Sequence, residues 1–248
     1  MFFRSGVILL LGAFIEFRLA NAALPSGWKS CKRSDSDRSN CLKEAAQHAV
    51  LSIANNGNKK YGVFPADPLR FEKIDVDQSS GPVNIKLAFS NLDVIGLKKV
   101  QIENISWTRN EMILNATVPK LTVYGDYDIK GRVLVLPIVG QGKSNITIHE
   151  TRVHTKWLLP ENAKGDKKYF RTEKLGLSIH GSKVTFHFTN LFNGDKRLGD
   201  NMNKFLNENW ALIWEEVQPA IQGSFGEAVK EISNRIFSKI PSREIAPL

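Results

Sequence analysis

Between about residues 70 and 192 the chain alternates apolar and polar positions with a period of two. Val83, Ile85, Leu87 and Phe89 share one parity, and Leu114, Ala116 and Val118 stand opposite Asn115. Ile146 and Ile148 oppose Asn145, and the runs Leu175, Leu177, Ile179 and Val184, Phe186, Phe188 repeat the pattern. Such alternation is that of a strand with one buried and one wet face. Glycine and asparagine punctuate the runs and no helical stretch intervenes, so the region predicts an antiparallel meander. Asp126 and Asp128 read as solvated acids in one of its turns.

On either side the period changes to threes and fours. Leu42, Ala45, Ala46, Ala49, Val50 and Ile53 predict a helix, with Asn40 as N-cap and Gly57 as terminator. A second apolar stripe runs over residues 198–240, from Leu198 through Met202, Phe205, Trp210, Trp214 and Val217 to Ile236 and Ile240. Unbroken, it would be a helix of ~65 Å at 1.5 Å per residue. Pro219 is expected to kink or split it, with Gly223 and Gly226 loosening the next turn. A helix that long cannot bury its whole stripe lying flat on a small sheet. The pattern therefore predicts an α+β fold in which the antiparallel sheet wraps the C-terminal helix.

The first residues follow a different logic. Arg4, the apolar run Val7 to Ile15 and Ala20-Asn21-Ala22 have the order of a secretory signal peptide, residues 1–22, leaving residues 23–248 as a single domain. Export makes the compartment oxidising, where Cys31 and Cys41 are expected to pair. Closing so short a loop contributes ~3 kcal/mol and pins the N-terminal segment. The sequons at Asn104, Asn115 and Asn145 fit the same route, and a glycan on any of them requires that asparagine to face water.

Composition and charge then exclude more than they assign. Apolar residues at 42% and charged ones at 24% are ordinary for a globular domain, which argues against disorder. The net charge is +9, but lysine and arginine are scattered, so a solvated basic surface is the plain reading. Nucleic-acid stacking on the tryptophans is disfavoured, because Trp210 and Trp214 belong to the helix stripe. His149 and His154 are spaced i, i+5, which on a strand places them on opposite faces and defeats a metal site. His187 falls on the wet parity. No G-x-S-x-G elbow is present, Gly140-Gln141-Gly142 lacks the third glycine of a dinucleotide loop, and both thiols are used. The chain reads as a non-enzyme that needs neither metal nor cofactor.

A set of ordered motifs completes the picture. It comprises Cys31/Cys41 with the following helix, then Pro65-Ala66-Asp67-Pro68-Leu69, then Leu92 with Gly96-Leu97. Next come Pro119, Leu121, Gly125, Tyr127, Gly131, Leu134, Pro137-Ile138 and Gly140-Gln141-Gly142, followed by Asn190-Leu191-Phe192-Asn193-Gly194-Asp195. Asn209-Trp210, Pro219 and Ile236-Phe237 with Pro241 close the series. In order and spacing the chain resembles the insect Takeout and juvenile hormone-binding protein family across the whole mature length. The resemblance implies a strongly curved antiparallel sheet around a long helix, enclosing a hydrophobic tunnel, as in modules of the bactericidal/permeability-increasing type. One cysteine pair looks like the Takeout branch; the juvenile hormone carriers of the family have a second disulfide, absent here.

The resemblance further implies a secreted, extracellular carrier of a juvenile hormone-like terpenoid, fatty acid or other lipid. Feeding, courtship and clock-regulated physiology are the settings it suggests. The expected tunnel lining is Leu114, Val118, Leu121, Val123, Phe186 and Phe188 from strands, with Phe205 and Trp214 from the helix. Stable membrane insertion is not expected, since no segment after the leader is apolar enough to span a bilayer. Two other functions compete. One is lipid capture at anionic membrane surfaces, in an antimicrobial manner, which predicts salt-sensitive vesicle binding. The other is lipid hydrolysis, for which no nucleophile and base are found.

Overall fold

The computed structural model describes residues 24–79 and 81–247, so the leader sequence lies outside the described residues. Helix α1 (Arg38–Asn56) comes first, then strands β1 (Leu69–Gln78), β2 (Val83–Ile95), β3 (Gln101–Thr108), β4 (Glu111–Val133) and β5 (Leu136–Leu158). A short hairpin, β6 (Glu161–Lys164) and β7 (Lys167–Phe170), precedes β8 (Lys174–His180) and β9 (Lys183–Phe188). The chain ends in α2 (Lys196–Glu208), α3 (Trp210–Phe237) and a last turn, α4 (Ser242–Ile245).

Seven strands form one antiparallel sheet in the order β1-β2-β4-β5-β8, with β3 also on β4 and β9 also on β5. Its spine is the hairpin of β4 and β5, each 23 residues, or ~76 Å at 3.3 Å per residue. No single neighbour is that long. Strands β3 and β2 therefore lie end to end along β4, and β8 and β9 end to end along β5. Asp126 and Asp128 sit inside β4 and not in the turn expected of them.

The sheet curls until both margins reach α3. On one margin Phe71 of β1 stacks on Phe225 at 5.0 Å, and Gln78 Nε2 donates to Glu216 Oε2 at 2.8 Å. On the other, Gln222 Nε2 donates to the Ile179 carbonyl of β8 at 3.3 Å. Helix α3 is thus the stave that closes an incomplete barrel, and the wrapped architecture follows.

Bulges re-aim the strands along the way. At Asn91 (φ 50°) the register steps from Ser90↔Asp126 to Asp93↔Tyr124. Gly125 lies at that step because a Cβ there would meet Leu92 Cδ2 at 2.8 Å and Ser90 O at 2.9 Å. At Glu150 (φ 45°), with Pro119 facing it, the buried parity switches in both β4 and β5. The switch overturns the expectation for the histidines: His149 and His154 both fall on the outer parity. Among the described residues no cluster able to hold a metal ion forms there or elsewhere.

The helices also depart from expectation in detail. Helix α1 begins after Asp37, and Asn40 lies within its first turn, donating from Nδ2 to Asp37 Oδ1 at 2.7 Å. Gly57 does end it, at φ 61°. The C-terminal stripe breaks at Asn209 (φ −107°, ψ 22°) and not at Pro219. At the break the Phe205 carbonyl accepts twice from Asn209, from its backbone N–H at 3.1 Å and from Nδ2 at 2.9 Å. Pro219 is tolerated inside α3 because it and Glu215, four residues earlier, are both exposed. The carbonyl that proline leaves without a donor is therefore on the wet side.

Amide side chains fasten three helices to the sheet margins. Asn203 and Asn207, one turn apart on α2, each bridge both the N–H and the carbonyl of Phe188 and Phe186, at 2.7 to 2.9 Å. Four residues of helix (~6 Å) match two residues of strand (~6.6 Å), so the pair fits the free edge of β9. Asn234 of α3 does the same for Thr172, and Gln47 of α1 joins Val100 O and Ile102 N. At the N-terminus the disulfide Cys31–Cys41 is formed, with Cα atoms 5.8 Å apart.

Candidate functional site

The inward faces of the sheet and the apolar stripes of α2 and α3 make one continuous hydrocarbon layer. Two cavities lie in it, of about 30 Å³ and about 10 Å³. Phe89, Ile146 and Ile221 line both, so the two are neighbours along α3. The first extends towards Val133 and Ile138 beside the β4–β5 turn, the second towards Ile74 and Phe225.

Four of the eight expected lining residues meet these cavities: Phe186 and Phe188 the first, Val123 and Trp214 the second. The other four do not. Val118 and Leu121 are buried in the same core away from the cavities, Phe205 is only half-buried on α2, and Leu114 packs between two core clusters. Ile213, Val217 and Ile221 line the space from α3 and were not singled out. Their three- and four-residue spacing was visible, but which part of the stripe faces a gap depends on where the helix breaks.

Among the described residues these two cavities do not amount to the open tunnel implied by the resemblance. A site for a drug-sized molecule occupies ~300–1,000 Å³, and these cavities reach a water's worth. Close packing of unbranched and branched hydrocarbon fills the rest. The polar contacts between helices and sheet show which part of the helical layer is held most weakly. The fastenings are unequal in that respect: double amide bridges hold α2 and the C-terminal end of α3. Across the cavities α3 has the single hydrogen bonds of Glu216 and Gln222, while Pro219 and Gly223 lie in the same stretch.

Both cavities are lined wholly by apolar and aromatic side chains, so nothing there can neutralise a charged ligand group. Trp214 of the second cavity's lining carries a buried polar atom. Trp214 is 5% exposed and its indole Nε1 has no acceptor, a deficit of ~1–3 kcal/mol for a buried donor. Nearby, burial pushes the Tyr127 phenol up to about 12, and its hydroxyl donates to the Thr189 carbonyl at 2.6 Å. That contact explains Gly140 and Gly142: a Cβ at the first would meet Tyr127 Oη at 2.8 Å, at the second Thr189 Oγ1 at 2.7 Å. Asp67 is also structural, its carboxylate accepting from the Gly96 and Lys98 amides at 3.1 and 2.8 Å.

On the outer face, Asn104 and Asn145 are exposed and Asn115 is half-buried. Asn104 and Asn115 are cross-strand partners; Asn115 Nδ2 donates to Asn104 Oδ1 at 2.7 Å, and its Oδ1 meets His154 Nδ1 at 2.6 Å. His187 is exposed, as its parity predicts. No helix among the described residues is long and apolar enough to cross a membrane.

Comparison with known proteins agrees with this architecture. The family model for haemolymph juvenile hormone binding protein (JHBP) matches residues 7–247. The circadian clock-controlled protein daywake of Drosophila melanogaster is 28% identical over 239 residues, which cover 91% of this chain and 89% of that protein. Its Drosophila yakuba counterpart is 26% identical over 239 residues with the same coverage. Among solved structures, Takeout 1 of Epiphyas postvittana superposes with a TM-score of 0.80 at 25% identity, covering 89% of this chain and 100% of that one.

Proposed function

The chain belongs to the haemolymph juvenile hormone binding protein family, and on that premise we propose that it is a secreted, non-catalytic carrier. It holds a small hydrophobic ligand, a terpenoid or another lipid, between the sheet and α3. Residues 1–22 direct export and residues 23–248 form the one ligand-binding domain. The observation that carries the reading is the pair of adjoining, wholly apolar cavities beneath the least fastened stretch of α3. Burying a chain of about fifteen carbons yields on the order of 12 kcal/mol gross. That gross gain stands against an association cost of ~4–15 kcal/mol and the ordering of the ligand. Daywake is named as clock-controlled, and we extend a timed physiological setting to this chain as part of the proposal.

The test is native mass spectrometry of the protein from its natural secretion, followed by solvent extraction of whatever adduct it carries. A one-to-one apolar adduct is expected, with slowed hydrogen exchange in α3 when it is present. A protein that neither carries nor takes up any apolar molecule, or that turns over ester substrates, overturns the reading.

A second reading, docking on an anionic lipid surface, is favoured by one feature. The β4–β5 turn presents Val135, 83% exposed, with Leu136 and Val139. Exposed Lys130 and Arg132 stand beside them, across from Val139 and Pro137. Apolar tip and basic flank suit a bilayer of acidic headgroups, and Val133 and Ile138 lead from the tip to the first cavity. Flotation with phosphatidylserine vesicles that weakens with salt and is lost in Val135→Asp supports it; equal flotation of the variant sinks it.

A further inference from the structure

We propose that Trp214 selects the ligand's polar group, its indole N–H hydrogen-bonding an acceptor oxygen set within an otherwise hydrocarbon molecule. The proposal rests on the carrier reading and specifies the chemistry of that same site.

Three described side-chain nitrogens are buried without a partner: Trp28 Nε1, Arg38 Nε and Trp214 Nε1. Arg38 has another nitrogen bonded to the Trp107 carbonyl, and Trp28 packs in a separate cluster near the chain terminus. Of the three, Trp214 lines the second cavity, and neither Trp28 nor Arg38 lines either of the two. The fold supplies acceptors to buried indoles where it uses them structurally, as Thr155 Oγ1 does for Trp157 Nε1 at 2.7 Å. Around Trp214 the lining is Phe89, Ile146, Ile221, Phe225 and other hydrocarbon. Water does not resolve the deficit. The cavity of about 10 Å³ is at the lower limit for one molecule, which needs two to four polar partners.

A lone donor in a hydrocarbon wall discriminates among ligand groups. A carbonyl, ether or epoxide oxygen takes the N–H and brings no donor of its own. A hydroxyl adds an O–H that finds no acceptor, and a carboxylate adds a charge that no lining residue neutralises. The first cavity adjoins the second across Phe89, Ile146 and Ile221, so a chain that reaches both carries hydrocarbon on either side of the oxygen. The ligand class is therefore a ketone, ester or ether embedded in a chain, in preference to a free fatty acid.

The full secreted chain, labelled with ¹⁵N-tryptophan, would be titrated with pentadecan-8-one, pentadecane and pentadecanoic acid. Competition against a fluorescent lipid probe gives the affinities of wild type and Trp214→Phe. The variant should weaken the ketone about two- to tenfold, the value of one neutral hydrogen bond, and leave pentadecane unchanged. The solvation of each ligand cancels in that comparison. In wild type the Trp214 indole proton should move downfield with the ketone and not with the alkane. If Trp214→Phe does not fold, the wild-type signal, assigned through cavity methyl contacts, decides the matter. Binding of both compounds with equal effect of the variant, and an indole proton indifferent to the ketone, overturns the selector and leaves the carrier standing. If neither compound binds wild type, the carrier reading and the selector fall together.

Discussion

Ile221 is the side chain through which the interior site can be separated from ordinary core. It is buried on α3 and lines both cavities, so Ile221→Ala joins them into one. A buried isoleucine cut to alanine costs about 2–5 kcal/mol; the transfer of three carbons accounts for ~2.4 kcal/mol, and the new void for what a larger cost adds to it. The void is what a ligand would fill. With an apolar ligand at a hundred times its Kd, wild type gains about 2.7 kcal/mol by linkage. Filling the enlarged space should tighten binding in the variant about tenfold, adding ~1.4 kcal/mol more. Urea unfolding of both proteins, with and without pentadecan-8-one, measures this: the deficit of Ile221→Ala should shrink by roughly half when ligand saturates. Ile105→Ala serves as the control, being equally buried but in the cluster around Trp107 and Phe170, away from the cavities. Its deficit should stay constant. If ligand restores both variants equally, or neither, the ligand does not lie between sheet and helix and the reasoning fails.

Three further expectations follow from the same structure. Asn203→Ala and Asn207→Ala should each cost about 1–3 kcal/mol, because the Phe188 or Phe186 amide loses the side-chain oxygen it donates to on the free edge of β9; hydrogen exchange at those two amides should quicken selectively, and unchanged protection would show that the bridges hold nothing. Tyr127, with its phenol raised to about 12 by burial, favours the neutral form when folded. Its contribution is therefore complete below the ordinary tyrosine pKa and is lost as pH rises through about 12; the latest phenolate absorbance step should vanish in Tyr127→Phe. Glycopeptide mapping should find glycan on Asn145 and on at most one of Asn104 and Asn115. Those two are directly opposed across β3 and β4, with Cβ atoms of such pairs about 5 Å apart; full occupancy of both would contradict the pairing.

The alternation of Val83 to Phe89 and of Val184 to Phe188 was legible because a wet and a buried face leave a period of two. The 23-residue spine was not, and the reason is local. At Pro119 and Glu150 the buried parity reverses, so each long strand reads as two short ones of opposite phase. The same reversal spoiled the reading of His149 and His154, since a step of five predicts opposite faces only on an unbroken pleat. The helical stripe was legible for a similar reason, but its break was assigned to Pro219 on intrinsic propensity. Tertiary placement decided otherwise: the proline faces water, where a freed carbonyl costs little, and the stripe breaks at Asn209, whose backbone N–H and Nδ2 both donate to the Phe205 carbonyl. Four of the eight lining candidates miss the cavities because parity identifies a buried face and cannot distinguish a side chain beside a gap from one beside another side chain.

That distinction governs how such an interior can act as a site. A solid core resists opening because every side chain removed from it loses its contacts at once. Here the resistance is graded by the fastenings. Amide bridges at Asn203, Asn207 and Asn234 fix the helical layer at both ends, and the stretch between rests on hydrocarbon packing and two single hydrogen bonds. On the carrier reading, an incoming chain would replace hydrocarbon contact with hydrocarbon contact there, whereas at the ends it would have to break paired amides and offer nothing in return. On the carrier reading, opening would fall on the segment from Trp210 to Phe225, which carries Trp214 and lines the two cavities.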